Sequence, residues 1–221
     1  MMTKREKKER LAKIVERMKE IYPESVCALE HGGDPWRLLV MGRLSAQCTD
    51  ARVNIVCRDL FREFPNAESM ARGDISRIEE IVKPCGLYRM KASSIKEASR
   101  IITEKYSGQL PRTMDGLLEL PGVGRKIANL IIGDVYGDPC VVCDTHCMRI
   151  CGRFGMYKEN LRDPDKIEKI LLELLPYGEG SDFCHRIVNF GREVCTARSP
   201  RCAECPVRDL CLHYERQGND E

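Results

Sequence analysis

The sequence predicts an all-α protein, and three observations carry that reading. Apolar residues recur at helical spacing along almost the whole chain, capping residues stand just before many of the periodic runs, and no stretch alternates as a half-buried strand would. About ten short helices are expected. No tandem repeat at the periods that mark solenoids is present.

The elements follow in order. Leu11, Ile14, Val15, Met18 and Ile21 form the first apolar stripe. Asp34 before Pro35 opens a second helix, because a carboxylate caps free N–H groups and proline is tolerated at the first helical position. Asp50 reads as the N-cap of a third, whose apolar side is Val53, Val56, Cys57, Leu60, Phe61 and Phe64. Further starts are expected at Thr113, Asp144, Asp163-Pro164 and Ser181, and stops at Pro65, Gly73, Gly86, Gly108 and Pro176. Composition changes most clearly at Gly137-Asp138-Pro139, which places a domain boundary there.

Bulk properties narrow the function. A chain of 221 residues is long enough for one substantial core or two small ones. Apolar runs such as Leu130 to Ile132 are far too short to cross a bilayer. The basic residues near the N-terminus alternate with Glu6, Glu9, Glu16 and Glu20, unlike a secretory signal. A cytoplasmic protein without membrane contact is expected. The net charge of +2 is nearly neutral, so any nucleic-acid site must be a local patch. Thirteen cysteines in a reducing compartment point to buried thiols, metal ligands or catalysts rather than disulfides.

Four of those cysteines, Cys195, Cys202, Cys205 and Cys211, have the spacing C-x6-C-x2-C-x5-C. Thiolates that close in sequence can surround one small inorganic centre. Four-cysteine zinc sites usually present two C-x2-C knuckles, and only one exists here, but spacing alone leaves zinc and an iron–sulfur cluster both open. Arg198 and Arg201 lie in the first loop of this segment, either as solvated side chains or as guanidinium groups that a metal-stiffened loop holds against phosphates.

The stretch ELPGVGRK, residues 119–126, separates a short helix over 113–120 from another over 125–136. Gly122 and Gly124 permit positive φ and remove side-chain bulk, so the turn is tight and the next helix offers unpaired N–H groups to an anion. Arg125 and Lys126 then stand at the positive end of a helix dipole, where a cation is disfavoured. An amine so placed is harder to protonate, and a neutral amine is a nucleophile. A surface lysine that merely contacts phosphate would have the same sequence. Asp144, in VCDTH, is either a plain N-cap or a carboxylate that backbone N–H groups hold ionised, able to stabilise an oxocarbenium ion on a sugar.

LPGVGRK, VCDTH and the cysteine tail, in this order and at these separations, resemble the endonuclease III family of DNA glycosylases in the helix-hairpin-helix superfamily, over about Arg37 to Cys211. The resemblance implies an all-α protein of two domains with a DNA cleft between them. One is a six-helix barrel with the hairpin over residues 28–138. The other, residues 1–27 with 139–221, holds a [4Fe-4S] cluster on Cys195, Cys202, Cys205 and Cys211. Lys126 matches the family's nucleophile and Asp144 its catalytic carboxylate. The segment LSAQCTD resembles the family stretch whose glutamine, here Gln47, fills the hole left by an extruded base, and Gly86-Leu87-Tyr88 resembles the wedge loop, with Leu87 entering the stack. By the same likeness the amides of Gly122, Val123 and Gly124, with Arg125, hold DNA phosphate. Carbonyls of Leu118, Leu120 and Val123 would bind a monovalent cation.

The implied activity is that of a monomeric glycosylase and abasic-site lyase acting on oxidised pyrimidines in double-stranded DNA. Another base specificity on the same fold stays open, as does a non-catalytic DNA-binding protein whose iron–sulfur centre senses redox state. Cys48, Cys143 and Cys147 depart from the family pattern and are expected to be small buried hydrophobes.

Overall fold

The computed structural model describes residues 2–24 and 26–217, and every regular element within them is helical. Twelve α-helices occur among these residues, more than the sequence suggests, and two of them, α1 (Lys4–Ile21) and α6 (Tyr88–Tyr106), are long at 18 and 19 residues. The extra helices are one- or two-turn pieces too short to show a period. Among the described residues no helix is long and apolar enough to cross a membrane. Backbone contacts divide the chain into two compact units, Cys27–Gly137 and Met1–Val26 with Asp138–Glu221.

The first unit contains α2 (Pro35–Leu44), α3 (Asp50–Glu63), α4 (Ala67–Arg72), α5 (Ile75–Val82), α6, α7 (Met114–Leu118) and α8 (Arg125–Asp134). Six of these surround the core, and five-residue α7 is the first arm of a hairpin with α8. Helix α2 is buried on nearly every side and packs against α3, α6 and α8, while α4 and α5 pack against α6. Trp36 meets Phe61 with ring centroids 5.5 Å apart. Its Nε1–H donates to Ser99 Oγ at 3.0 Å, so the one polar atom of the indole is satisfied inside the core. Thr49, not Asp50, caps α3: its hydroxyl accepts from the Arg52 N–H, and Asp50 falls inside the first turn, where its charge still complements the dipole.

The second unit contains α1, α9 (Thr145–Arg153), α10 (Pro164–Leu174), α11 (Gly180–Glu193), α12 (Leu212–Gln217) and two 3₁₀ turns, Cys202–Glu204 and Arg208–Leu210. Helix α1 presses Leu11, Ile14, Val15 and Met18 against α10 and α11. Ile21, expected in that stripe, is 38% exposed at the end of the helix. Asp34, Thr113, Asp144 and Asp163 each cap the helix that follows, as their positions suggest. Ser181 does not. Helix α11 begins one residue earlier, and Gly180 sits there because any Cβ would collide with the carbonyl oxygen of Cys140.

That collision is with backbone, which cannot swing aside. Gly180→Ala is therefore expected to destabilise the protein by about 3 kcal/mol, seen as a lowered midpoint in thermal unfolding. An unchanged midpoint would show that the chain around Cys140 yields.

Candidate active site and metal centre

The hairpin turn is built on two residue types. The Val123 N–H donates to the Leu120 carbonyl at 3.0 Å, with Pro121 and Gly122 between them and Gly122 at φ +80°, the pattern of a type II turn. Gly122 is required twice, since a Cβ there would also lie 2.5 Å from Arg43 Nε and 3.0 Å from Ser94 Cβ. Buried Val123 anchors the turn from below. Gly124 differs from expectation. Its φ is −97°, so positive φ is not its purpose, and a Cβ would meet nothing within 4 Å. Its bareness faces outward, at the N-cap of α8, where no side chain caps the helix.

Arg125 and Lys126 occupy the first turn of α8, with Arg125 half-buried and Lys126 exposed. The turn is held in place by Ile127, whose Cγ2 would lie 3.3 Å from a Cβ at Gly42 of α2. Ala128, Asn129, Leu130 and Ile131 face inward. Leu118 is 39% exposed, and the Leu120 carbonyl, which accepts from Val123, keeps a second lone pair.

Gln47 and Leu87 are two of the three non-glycine residues with positive φ among those described, at 56° and 47°. Both are exposed at loop tips, Gln47 between α2 and α3 and Leu87 just before α6. A left-handed conformation in a non-glycine residue costs energy, and such strain clusters at functional positions.

In the other unit, half-buried Asp144 accepts a 2.7 Å hydrogen bond from the Cys147 N–H, which fixes the carboxylate at the start of α9. Cys147 is buried, and its thiol shares hydrogen bonds with those of Cys143, Cys151 and Cys184; these contacts, then burial, raise its pKa. Cys143 and Cys48 are only half-buried, contrary to expectation, because both lie in loops leading into helices rather than on a helix's inner face.

Cys195, Cys202, Cys205 and Cys211 line one cavity, together with Arg153, Phe154 and Phe190 among others. Burial pushes the Cys205 thiol up to about 11 and also raises Cys202 and Cys211. Four thiols lining one cavity, three of them made harder to ionise by burial, fit a multivalent iron centre, whose positive charge reverses that preference. Arg153 donates to Cys195 Sγ at 3.2 Å, to the Thr196 carbonyl at 2.8 Å and to the Ala197 carbonyl at 3.1 Å. Arg149 donates to the Cys195 carbonyl at 3.0 Å. Arg198 and Arg201 are both exposed, but the Arg201 guanidinium donates to the Glu193 carbonyl and so also holds its own loop.

Several residues here escape sequence reasoning. Arg149 and Arg153 read as the polar side of a helix, and nothing in their spacing shows that they grip the cysteine loop. Cys27, His31 and Asp134 also converge, with ligand-type atoms within 4.8 Å of one another. The Cys27 thiol hydrogen-bonds Asp134, and the Gly33 N–H donates to His31 Nδ1 at 3.1 Å.

Residues 40–177 match the family model for HhH-GPD superfamily base excision DNA repair proteins, and residues 195–211 match the iron–sulfur binding domain of endonuclease III. The chain is 42% identical over 206 residues to endonuclease III of Synechocystis sp., covering 93% of each chain. It is similar to the structure of a non-covalent endonuclease III–DNA complex, with a TM-score of 0.88 and 35% identity over 99% of this chain and 100% of that one. A trapped endonuclease III–DNA covalent intermediate matches with a TM-score of 0.87 at 35% identity over the same shares.

The grip of Arg153 yields a test. Arg153→Met removes donors from a cysteine sulfur and two loop carbonyls, so purified protein is expected to lose iron to a chelator faster than wild type, at about ten-fold or more if one charged hydrogen bond is worth ~1.5 kcal/mol. Loss of visible absorbance at the wild-type rate would contradict the assigned role.

Proposed function

The chain belongs to the endonuclease III family of HhH-GPD superfamily base excision DNA repair proteins, and from that premise we propose that it is a bifunctional DNA N-glycosylase and abasic-site lyase removing oxidised pyrimidines from double-stranded DNA. The observation that carries the reading is the uncapped start of α8, where an exposed lysine follows a bare glycine turn. The turn amides and Arg125 hold a backbone phosphate, and carbonyls of Leu118, Leu120 and Val123 hold a monovalent cation that stiffens the turn. The damaged nucleotide leaves the stack, with Gln47 filling the gap and Leu87 wedging the neighbouring step.

Lys126 attacks C1′ in its neutral form, the C1′–N bond breaks, and the base departs with the electron pair. Asp144 stabilises the positive charge that builds on the sugar. The sugar ring opens as the amine becomes an imine; loss of a C2′ proton then expels the 3′ phosphate, which nicks the strand, and water frees the lysine. The trapped covalent intermediate of a relative 35% identical supports this chemistry.

Cys195, Cys202, Cys205 and Cys211 are the ligands of a [4Fe-4S] cluster, which when bound supplies a cross-link rather than a reacting atom. That cross-link sets the loop from which Arg198 reaches phosphate. The place of action is the cytoplasm, on chromosomal DNA, as a monomer.

Lys126→Gln should abolish base excision and strand cleavage on a duplex with one oxidised pyrimidine while leaving the protein folded; cleavage at the wild-type rate would overturn the proposal. Asp144→Asn should slow excision by about a hundred-fold. Arg198→Ala should weaken binding to damaged and undamaged duplexes alike and reduce the salt slope by about one. A loss confined to one lesion would contradict a phosphate contact.

A further inference from the structure

Lys91 is fully buried, on α6, one turn after Leu87. Lysine is almost never found in such a place unless its charge is matched. Here its three N–H donors are all used, by the carbonyls of Leu44 at 2.8 Å, Ala46 at 2.7 Å and Cys85 at 2.8 Å. An ammonium group has three donors and no acceptor, so three carbonyls satisfy it completely.

The origin of those carbonyls matters more than their number. Leu44 and Ala46 lead directly into Gln47, while Cys85 leads into Gly86 and Leu87. One side chain thus ties together the two loops whose tips hold strained, left-handed residues. Strain of about 1 kcal/mol or more per residue persists only where the surroundings over-determine it. The thiols of Cys48 and Cys85 share a further hydrogen bond between the same segments.

We propose that Lys91 is a positioning residue for nucleotide extrusion, clamping the two loops so that Gln47 and Leu87 are presented to the duplex together. This rests on the proposed function, which assigns both tips to DNA. Lys91 touches neither substrate nor the reacting atoms. An apolar residue in its place would remove the donor from three carbonyls, two of them in buried contacts, and free the loops to relax. Extruding a stacked, paired base then becomes harder. A site that already lacks its base demands less of the two tips, so cleavage there should be affected less.

The test compares two duplexes of one sequence under single-turnover conditions with the iron-loaded protein, one carrying an oxidised pyrimidine and one an abasic site. Lys91→Met should slow excision about ten-fold or more while changing abasic-site cleavage by less than about three-fold. In a Gln47→Ala/Leu87→Ala background the same substitution should add less than about two-fold, because the residues through which it acts are gone. Lys91→Gln keeps up to two donors and carries the same comparison if thermal unfolding shows Lys91→Met to be unfolded. Equal losses on both duplexes, or an undiminished loss in the double-alanine background, would overturn the proposal. Wild-type protein that cleaves neither duplex would instead overturn the proposed function.

Discussion

The open N-terminus of α8 is the constraint on which the candidate active site depends. Eight helices, α1 to α5, α7, α9 and α10, have a side chain that accepts hydrogen bonds from their first N–H groups. Helix α8 has none, and it begins with Gly124, Arg125 and Lys126 where an acid would be favoured. The local sequence therefore spends stability rather than gaining it. Pro121 and Gly122 set the turn, Arg43 and Ser94 close against it, and Ile127 on Gly42 locks the first helical turn to the core. What remains is a helix start without a capping side chain, followed by half-buried Arg125 and exposed Lys126, a setting that suits a phosphate and the sugar attached to it.

A second uncapped start shows the same economy. Helix α6 begins just after Leu87, its N-cap residue, which has left-handed backbone and supplies no capping side chain. The uncapped starts of α6 and α8 and the left-handed Gln47 all fall in the 27–137 unit and are proposed to meet DNA, whereas α11, the uncapped start in the other unit, begins at Gly180 under the carbonyl of Cys140. The other unit is organised around its cysteines. Arg149 and Arg153 bind the carbonyls of the loop after α11 and Arg153 also binds Cys195 Sγ, so the segment leading to Arg198 is held by one sulfur and by its backbone.

Much of this was legible before any coordinates. Helical periodicity, the caps at Asp34, Thr113, Asp144 and Asp163, and the C-x6-C-x2-C-x5-C spacing are local signals, and local signals survive folding. The hairpin was legible because Pro and Gly at successive positions dictate a turn type. Long-range dependence hid the rest. Gly180 is dictated by the carbonyl of Cys140, forty residues away in sequence. Thr49 and Asp50 are both capping residues, and only the path of the chain decides between them. Gln47 and Leu87 were visible only through family resemblance, since neither residue type favours positive φ. Lys91 gave no signal at all, because its partners are carbonyls, and every residue has one.

The most direct test is to locate the covalent bond. Protein incubated with a duplex containing an abasic site is reduced with borohydride, digested with nuclease and protease, and read by mass spectrometry. A reduced deoxyribose remnant on Lys126 is the expected result. A remnant on the N-terminal amine or on a different lysine, or the absence of any adduct while strands are cut, would contradict the assignment of Lys126 as the nucleophile.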